Sequence, residues 1–410
     1  MKIRKLALKN YKVFDELILD FTDKTGATNN QIIIAGLNGS GKSTILELLK
    51  DILSGNALPN VNRNFEIDIE FDFSELKWFN AFLAALKKDS KIYDCIDHDK
   101  ELLKQQIFRI KYAHADSPKT NVVLFKELMN IFRTLQTERK QKSIVVYRYS
   151  HDKVKSKKTK KVDDMVQEVS FGTHKTEMKD LILQPINQQI FKRRNLPPQE
   201  VIENEITSIN KIFSNLTINS KFVDIDSEEL IFQSSNKQRV KFDDLSSGEK
   251  LIYFMGFYLN KLNINSSMII VDEPEDSLHP TWQRQIIRFY ANIGENNQII
   301  LATHSPHVIA SAPAENVYLL KLNNNRITVS QPNYTQGHSI PYVLSEIMET
   351  DYRDTLINET IEQYINLIKT GKQDSSEAKK LKVEIDKLDP NSEERIRIDM
   401  AERRNKLLRR

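Results

Sequence analysis

Cysteine is almost missing from this 410-residue chain, which has only Cys95. A lone cysteine excludes an internal disulfide and a zinc site built from cysteines, and it fits a reducing compartment. Long apolar runs are missing too: none approaches the ~18 residues that crossing a bilayer requires. The charged start at Met1–Lys5 is not followed by an apolar core of signal-peptide length. The expectation is a cytoplasmic protein with no membrane segment. Charge of one sign is also lacking, since 60 Lys and Arg against 56 Asp and Glu leave a net +4. Any nucleic-acid surface must therefore be local. What remains is ample for folding. The 40% hydrophobic fraction supports a buried core, and the length suits two or three domains, or one carrying a large insertion.

Along the chain, residues 3–9 and 17–21 read as short strands with a turn at 10–12. Gln31–Ala35 is a compact apolar run of the kind that makes a buried parallel strand. Helical spacing follows at Ile45, Leu48, Leu49 and Ile52. Phe65, Ile67, Ile69, Phe71 and Phe73 alternate as in a strand with one exposed face. Helices are predicted at 75–88 and 98–106, a strand at 143–147, and a lysine-rich loop at 152–164. Residues 175–215 predict a helical hairpin, with its tip at Arg193–Pro198 because Pro197 and Pro198 interrupt it. Strands return after 218, strand and helix alternate from 245 to 330, and a charged helical tail follows without repeats or sustained heptads. The predicted segments are 1–56, an inserted lobe at 57–240, then 241–335, and the tail at 336–410.

Four short segments carry chemistry. Gly36-Leu-Asn-Gly-Ser-Gly-Lys-Ser-Thr44 has phosphate-loop spacing between a buried strand and an amphipathic helix. Glycine lets main-chain N–H groups curl round an anion, and the helix start adds its positive end. Gly36, Asn38, Gly39, Ser40, Gly41, Lys42, Ser43 and Thr44 are the candidate phosphate positions. Lys42 is suited to bridge the β- and γ-phosphates, and the Ser43 hydroxyl to ligate Mg²⁺. Ser266–Pro274 is a buried strand ending in Asp272, a candidate Mg²⁺ residue, and Glu273, a candidate base for the attacking water. Alternation predicts that these two side chains point opposite ways. Leu245-Ser-Ser-Gly-Glu249 opens a helix, and both an ordinary N-cap and an anion-receiving corner fit it. Ile299–Pro306 is a buried strand delivering His304 at its end.

In this order the four segments resemble an ABC-type ATPase: Walker A, signature, Walker B and switch histidine. The resemblance implies an α/β fold, a P-loop NTPase head of mixed and parallel sheet with flanking helices, an α-helical insertion and a helical C-terminal tail. It further implies that Ser246, Ser247, Gly248 and Glu249 of one chain complete the site at Lys42 of another. His304 would sense the γ-phosphate, and two ATP molecules would be buried in a homodimer, with higher oligomers open. The opening Ile3–Phe14 is similar to the first hairpin of RecF, SMC and OLD-like ATPases, which makes Asn10 and Lys12 candidate nucleotide contacts. Glu273-Pro-Glu, then Leu278-His-Pro and Gln283, resembles the bacterial AAA15/AAA21 group of retron and Septu antiphage systems, as does Ile340–Ile347 in the tail. No clear Q-loop glutamine appears; Gln141 and the 147–149 region are the candidates.

For nucleic acid, Lys153, Lys155, Lys157, Lys158, Lys160 and Lys161 form a dense basic tract, and Lys192, Arg193 and Arg194 a second cluster. A solvated loop is the plainer reading of such runs, and no interleaved aromatics favour single-strand stacking. DNA or RNA contact is expected mainly from the family resemblance. No nuclease constellation is visible: His98, His114, His151 and His174 are scattered. The reading is thus an ATPase that controls a separate effector, such as a nuclease, with a RecF-like repair ATPase as the alternative and a transporter subunit a weaker third.

Overall fold

The computed structural model describes residues 1–54, 64–70, 80–81, 84–85, 107–112, 145–148, 166–169, 175–226, 229–262, 264–323, 326–350, 355–390 and 392–408. The chain forms two units, Met1–Ile340 and Pro341–Arg410.

The chain enters as a hairpin of β1 (Lys2–Tyr11) and β2 (Phe14–Asp20), closed by a two-residue loop in which Lys12 has φ 49. Such tight loops match the strand twist when a loop residue takes positive φ. Alternating burial along β2 leaves Phe14, Leu17 and Leu19 inside. β3 (Gln31–Gly36) is the apolar run, with Ile32 to Ala35 fully buried. α1 (Lys42–Ser54) follows it directly.

β4 (Asn64–Glu70) pairs antiparallel with the free edge of β1, and β5 (Ile107–Tyr112) adds to β4, giving a sheet in the order β2-β1-β4-β5. Asp68, almost fully buried on β4, accepts two hydrogen bonds of 2.7 Å from Arg109 on β5, which satisfies its charge. β6 (Val145–Arg148) and β7 (Val166–Val169) join the central sheet by parallel pairing. Of the strands in the range 57–240, expected to form an inserted lobe, β4 and β5 thus extend the first sheet and β6 and β7 the central one. The continuations of the first alternating run (Phe71, Phe73), most of the predicted 75–88 helix and all of the 98–106 helix fall outside the described residues.

Next come α2 (Lys175–Lys192) and α3 (Pro198–Ile212), the expected hairpin, with Pro198 at the first helical position where its missing N–H costs nothing. β8 (Ser220–Asp226), β9 (Glu229–Ser234) and β10 (Arg239–Lys241) form a small antiparallel sheet. α4 (Ser247–Leu262) lies over an aromatic cluster in which Phe213 meets Tyr253 at 4.7 Å and Phe257 at 5.7 Å between ring centroids. Then follow β11 (Met268–Asp272), α5 (Pro280–Gln283), α6 (Ile286–Ala291), β12 (Gln298–Thr303), α7 (Pro306–Ile309), β13 (Val317–Asn323) and β14 (Arg326–Ser330).

The central sheet has the order β14-β13-β3-β12-β11-β6-β7, parallel throughout except for the edge strand β14. One apolar core unites β1, β2 and β4 with α1 and with Ile32, Ile270 and Ile300 of the central strands, so α1 is buried between the two sheets. Gln298, fully buried, fastens them: its amide accepts from Ile3 N at 2.7 Å and donates to Ile3 O at 2.8 Å.

Among the described residues the second unit, the expected charged helical tail, holds three longer helices, α8 (Thr355–Lys369), α9 (Ser376–Ile385) and α10 (Glu393–Leu408), around Ile361, Tyr364, Ile365, Ala378 and Ile398. Among the described residues, no helix is long and apolar enough to cross a membrane.

Candidate nucleotide site

β3 ends at Gly36 and the chain loops over five residues into α1. Gly41 has φ +91, and a Cβ there would lie 2.5 Å from the Phe14 ring, so only glycine fits beneath the β1–β2 hairpin. The Lys42 ammonium folds back onto the loop, donating to Gly36 O at 2.8 Å and Leu37 O at 3.0 Å. Burial pushes Lys42 below the usual amine range, while the carboxylates of Glu273, Asp272 and Glu275 draw it back up. Ser40 is buried and its hydroxyl has no hydrogen-bond partner. Asn38 and Gly39 are exposed at the loop crown, and Ser43 and Thr44 are half-buried in the first turn of α1. Lys12 reaches Glu47 of α1, 3.7 Å away, so the hairpin tip is tied to the same helix.

β11 brings Asp272, fully buried, to its carboxyl end beside Ala302 of β12. Glu273 then leaves the strand with φ 50, its N–H donating to Ala302 O at 2.8 Å. Positive φ is strained for a side-chain-bearing residue and replaces the strand alternation. The strand ends at Asp272, so the alternation from which opposite directions are expected does not extend to Glu273. Burial, then Asp276, raises the Glu273 carboxyl above its ordinary 4.5, and His304 opposes this.

His304 follows β12, its Nδ1 3.3 Å from Glu273 Oε1 and 3.6 Å from Glu275 Oε1. Glu275 was not among the residues singled out for chemistry. It is buried, its Oε1 accepts from Thr303 Oγ1 at 2.5 Å, and burial raises its carboxyl. Its sequence signal is the Glu-Pro-Glu pattern, which carries a family resemblance and assigns Glu275 no role. Gln283 belongs to the same pattern. It donates to Leu278 O at 2.9 Å and accepts from the Ser305 hydroxyl at 2.7 Å, joining α5 to the residue after His304.

The signature corner divides in two. Ser246 is the N-cap of α4: its hydroxyl accepts from Glu249 N at 3.3 Å, and Glu249 Oε2 accepts from Ser246 N at 3.1 Å. That reciprocal pair is a capping box. Glu249 and Gly248 are buried, whereas Ser246 and Ser247 are exposed. A Cβ on Gly248 would sit 2.9 Å from Ser277 O and from the Trp282 ring, so this glycine admits the turn after β11. Gln141 and the lysines from Lys153 to Lys161 lie outside the described residues, and β6, which carries Tyr147, runs beside β11. Lys192, Arg193 and Arg194 stand exposed at the helical-hairpin tip, Arg193 3.7 Å from Glu205.

These residues fit a magnesium nucleotide. Two main-chain carbonyls hold the Lys42 ammonium where a phosphate oxygen can replace them, and the buried Ser40 hydroxyl still lacks an acceptor. Among the described residues no group of three or more His, Cys, Asp or Glu is placed to hold a metal. Mg²⁺ in phosphate sites needs only one or two protein ligands, since phosphate and water supply the rest.

The model of the AAA ATPase domain, AAA_15, matches residues 1–309. The chain belongs to the AAA_15 family. Its AAA_15 match ends at the last residue of α7 and therefore takes in every candidate position above. Among relatives, the "Retron Vc95 probable ATPase" of Vibrio cholerae serotype O1 biovar El Tor is 24% identical over 465 aligned residues, covering 93% of this chain and 86% of its own. The "Retron Ec83 probable ATPase" of Escherichia coli is 22% identical, with 93% and 82% covered. "Septu protein PtuA" of Bacillus thuringiensis is 24% identical, with 78% of each covered. Among solved structures, the SMC head domain from Thermotoga maritima aligns with a TM-score of 0.41 and 14% identity, covering 82% of this AAA_15 chain and 100% of that one.

Proposed function

We propose that this protein hydrolyses ATP with Mg²⁺, closes head to head with a second copy around the nucleotide, and so controls a separate effector, a nuclease, in a cytoplasmic antiphage-defence complex. The observation that carries the reading is the gathering of Lys42, Asp272, Glu273 and His304 at one end of the central sheet. The retron and Septu relatives support the biological setting.

In this reading Lys42 leaves the carbonyls of Gly36 and Leu37 for the β- and γ-phosphates, and the N–H groups from Gly39 to Thr44 cradle them. Glu273 takes the proton of the attacking water. Held by Ser43 and Asp272, Mg²⁺ would neutralise charge on the β- and γ-oxygens. His304 meets the γ-phosphate from β12. Ser246 and Ser247, exposed at the head of α4, reach the triphosphate of the partner copy. The six lysines from Lys153 to Lys161 remain the proposed contact for DNA or RNA.

The test is phosphate release together with sedimentation of the purified chain. Wild type should turn over ATP, Lys42→Ala should bind and hydrolyse none, and Glu273→Gln with ATP should sediment as a dimer. Unchanged affinity and rate in Lys42→Ala would refute the phosphate-loop assignment. A monomer in Glu273→Gln with saturating ATP would refute the head-to-head arrangement.

A further inference from the structure

Glu275 sits two residues beyond the proposed base, in a turn closed by Leu278 N donating to Glu275 O at 2.9 Å. Its Oε1 accepts from three consecutive residues: Thr303 Oγ1 at 2.5 Å, His304 N at 3.0 Å and Ser305 N at 3.1 Å. The same oxygen lies 3.6 Å from His304 Nδ1, across from Glu273 Oε1 at 3.3 Å. Glu275 Oε2 is buried with no hydrogen-bond partner. The side chain therefore spends its bonding on one short stretch, a threonine hydroxyl and the next two main-chain N–H groups, the stretch that carries the histidine. Burying a carboxylate is costly unless its bonds fix something. Here they fix the direction in which β12 ends.

We infer that Glu275 is the positioning residue for His304: it pins the main chain from Thr303 to Ser305 and, with Glu273, brackets the ring at Nδ1. This inference rests on the ATPase reading above. Nδ1 is buried beside these two carboxylate oxygens without a hydrogen bond to either, and a partner gained on one ring nitrogen sets the role of the other. Ser305 is held from a second direction by Gln283, so the residues on both sides of His304 are fixed and the ring is the part that must be aimed.

The experiment is a double-mutant cycle on the full chain with Glu275→Ala, His304→Ala and the pair, alongside Glu275→Gln. The readouts are kcat, KM, Tm, and ¹⁵N spectra of histidine-labelled protein, with the His304 signal assigned from its loss in His304→Ala. Removing an orienting partner one step behind a reacting group costs about 10- to 100-fold in activity. Glu275→Ala should therefore lower kcat by that factor with KM little changed, and should cost nothing further once His304 is gone. Glu275→Gln keeps an oxygen acceptor in place and should restore most of the turnover. The His304 Nδ1 signal should shift in Glu275→Ala and not in Glu275→Gln.

Losses that multiply in the pair, a loss in KM alone, or a Gln variant as poor as the Ala variant would overturn the inference. Should Glu275→Ala not fold, Glu275→Asp, one methylene shorter, takes its place in the cycle with the same expectations. If wild type itself turned over no ATP, the ATPase reading would fall, and the ¹⁵N signal of His304 would still decide whether Glu275 aims the ring.

Discussion

At Glu273 two features coincide: a left-handed backbone at φ 50 and a carboxyl pushed up, chiefly by burial. Strain of this kind costs about 1–3 kcal/mol and persists where surrounding bonds enforce it, here the bond from Glu273 N to Ala302 O. As a proton acceptor Glu273 must be deprotonated. Its raised pKa means that turnover should fall on the acid side through a midpoint above the ordinary 4.5. A pH series of kcat checks this, and a midpoint at or below 4.5 would remove Glu273 from the base role. Glu273→Gln should retain nucleotide binding and lose turnover by roughly 10²–10⁴. Gly41→Ala tests the loop in another way. It would place a Cβ 2.5 Å from the Phe14 ring at φ +91, so titration with a fluorescent ATP analogue should show binding lost. Normal affinity would mean that the loop adjusts without harm to its anion cradle.

At the scale of elements, the head of α4 serves two ends. Ser246 caps the helix through Glu249, while Ser247 is exposed and makes no part of that cap. Replacing an N-cap serine by alanine costs about 0.5–2 kcal/mol. Ser246→Ala should therefore lower Tm as well as ATP turnover, whereas Ser247→Ala should lower turnover with Tm nearly unchanged. Thermal melts and phosphate release on the two variants separate the roles, and full activity in Ser247→Ala would remove it from the partner's site. Both the N-cap and the anion-receiving reading were present in Leu245–Glu249. The buried side of the corner was not, because Gly248 is explained by Trp282 and Ser277, contacts made across some thirty residues.

For the whole molecule, the central sheet lines up β3, β11 and β12 so that residues from three distant stretches meet at their carboxyl ends, the usual place for a ligand in an open α/β sheet. The proposed dimer adds a second requirement, that two such edges face one another. The lysines from 153 to 161 give a test at this scale. Replacing all six by Gln should flatten the salt dependence of DNA or RNA binding, since each neutralised phosphate contributes a slope of about 0.7–0.9 in log–log terms. An unchanged slope would make the tract a bystander.

The sequence by itself determined the phosphate loop, β3, α1, the helical hairpin, and the strands that lead to Asp272 and His304. Each of these is contiguous: a few neighbouring residues contain the spacing, the glycines and the apolar run that their physics requires. Tertiary structure alone decided what needs partners from far away. It placed β4 and β5 beside β1 and β6 and β7 beside β11, because strand pairing depends on edges that no local pattern names. It also turned Glu273 out of alternation and set Glu275 beneath Thr303 and His304. A carboxylate's work follows from which donors it meets once buried, and those donors lie 28 and 29 positions along the chain.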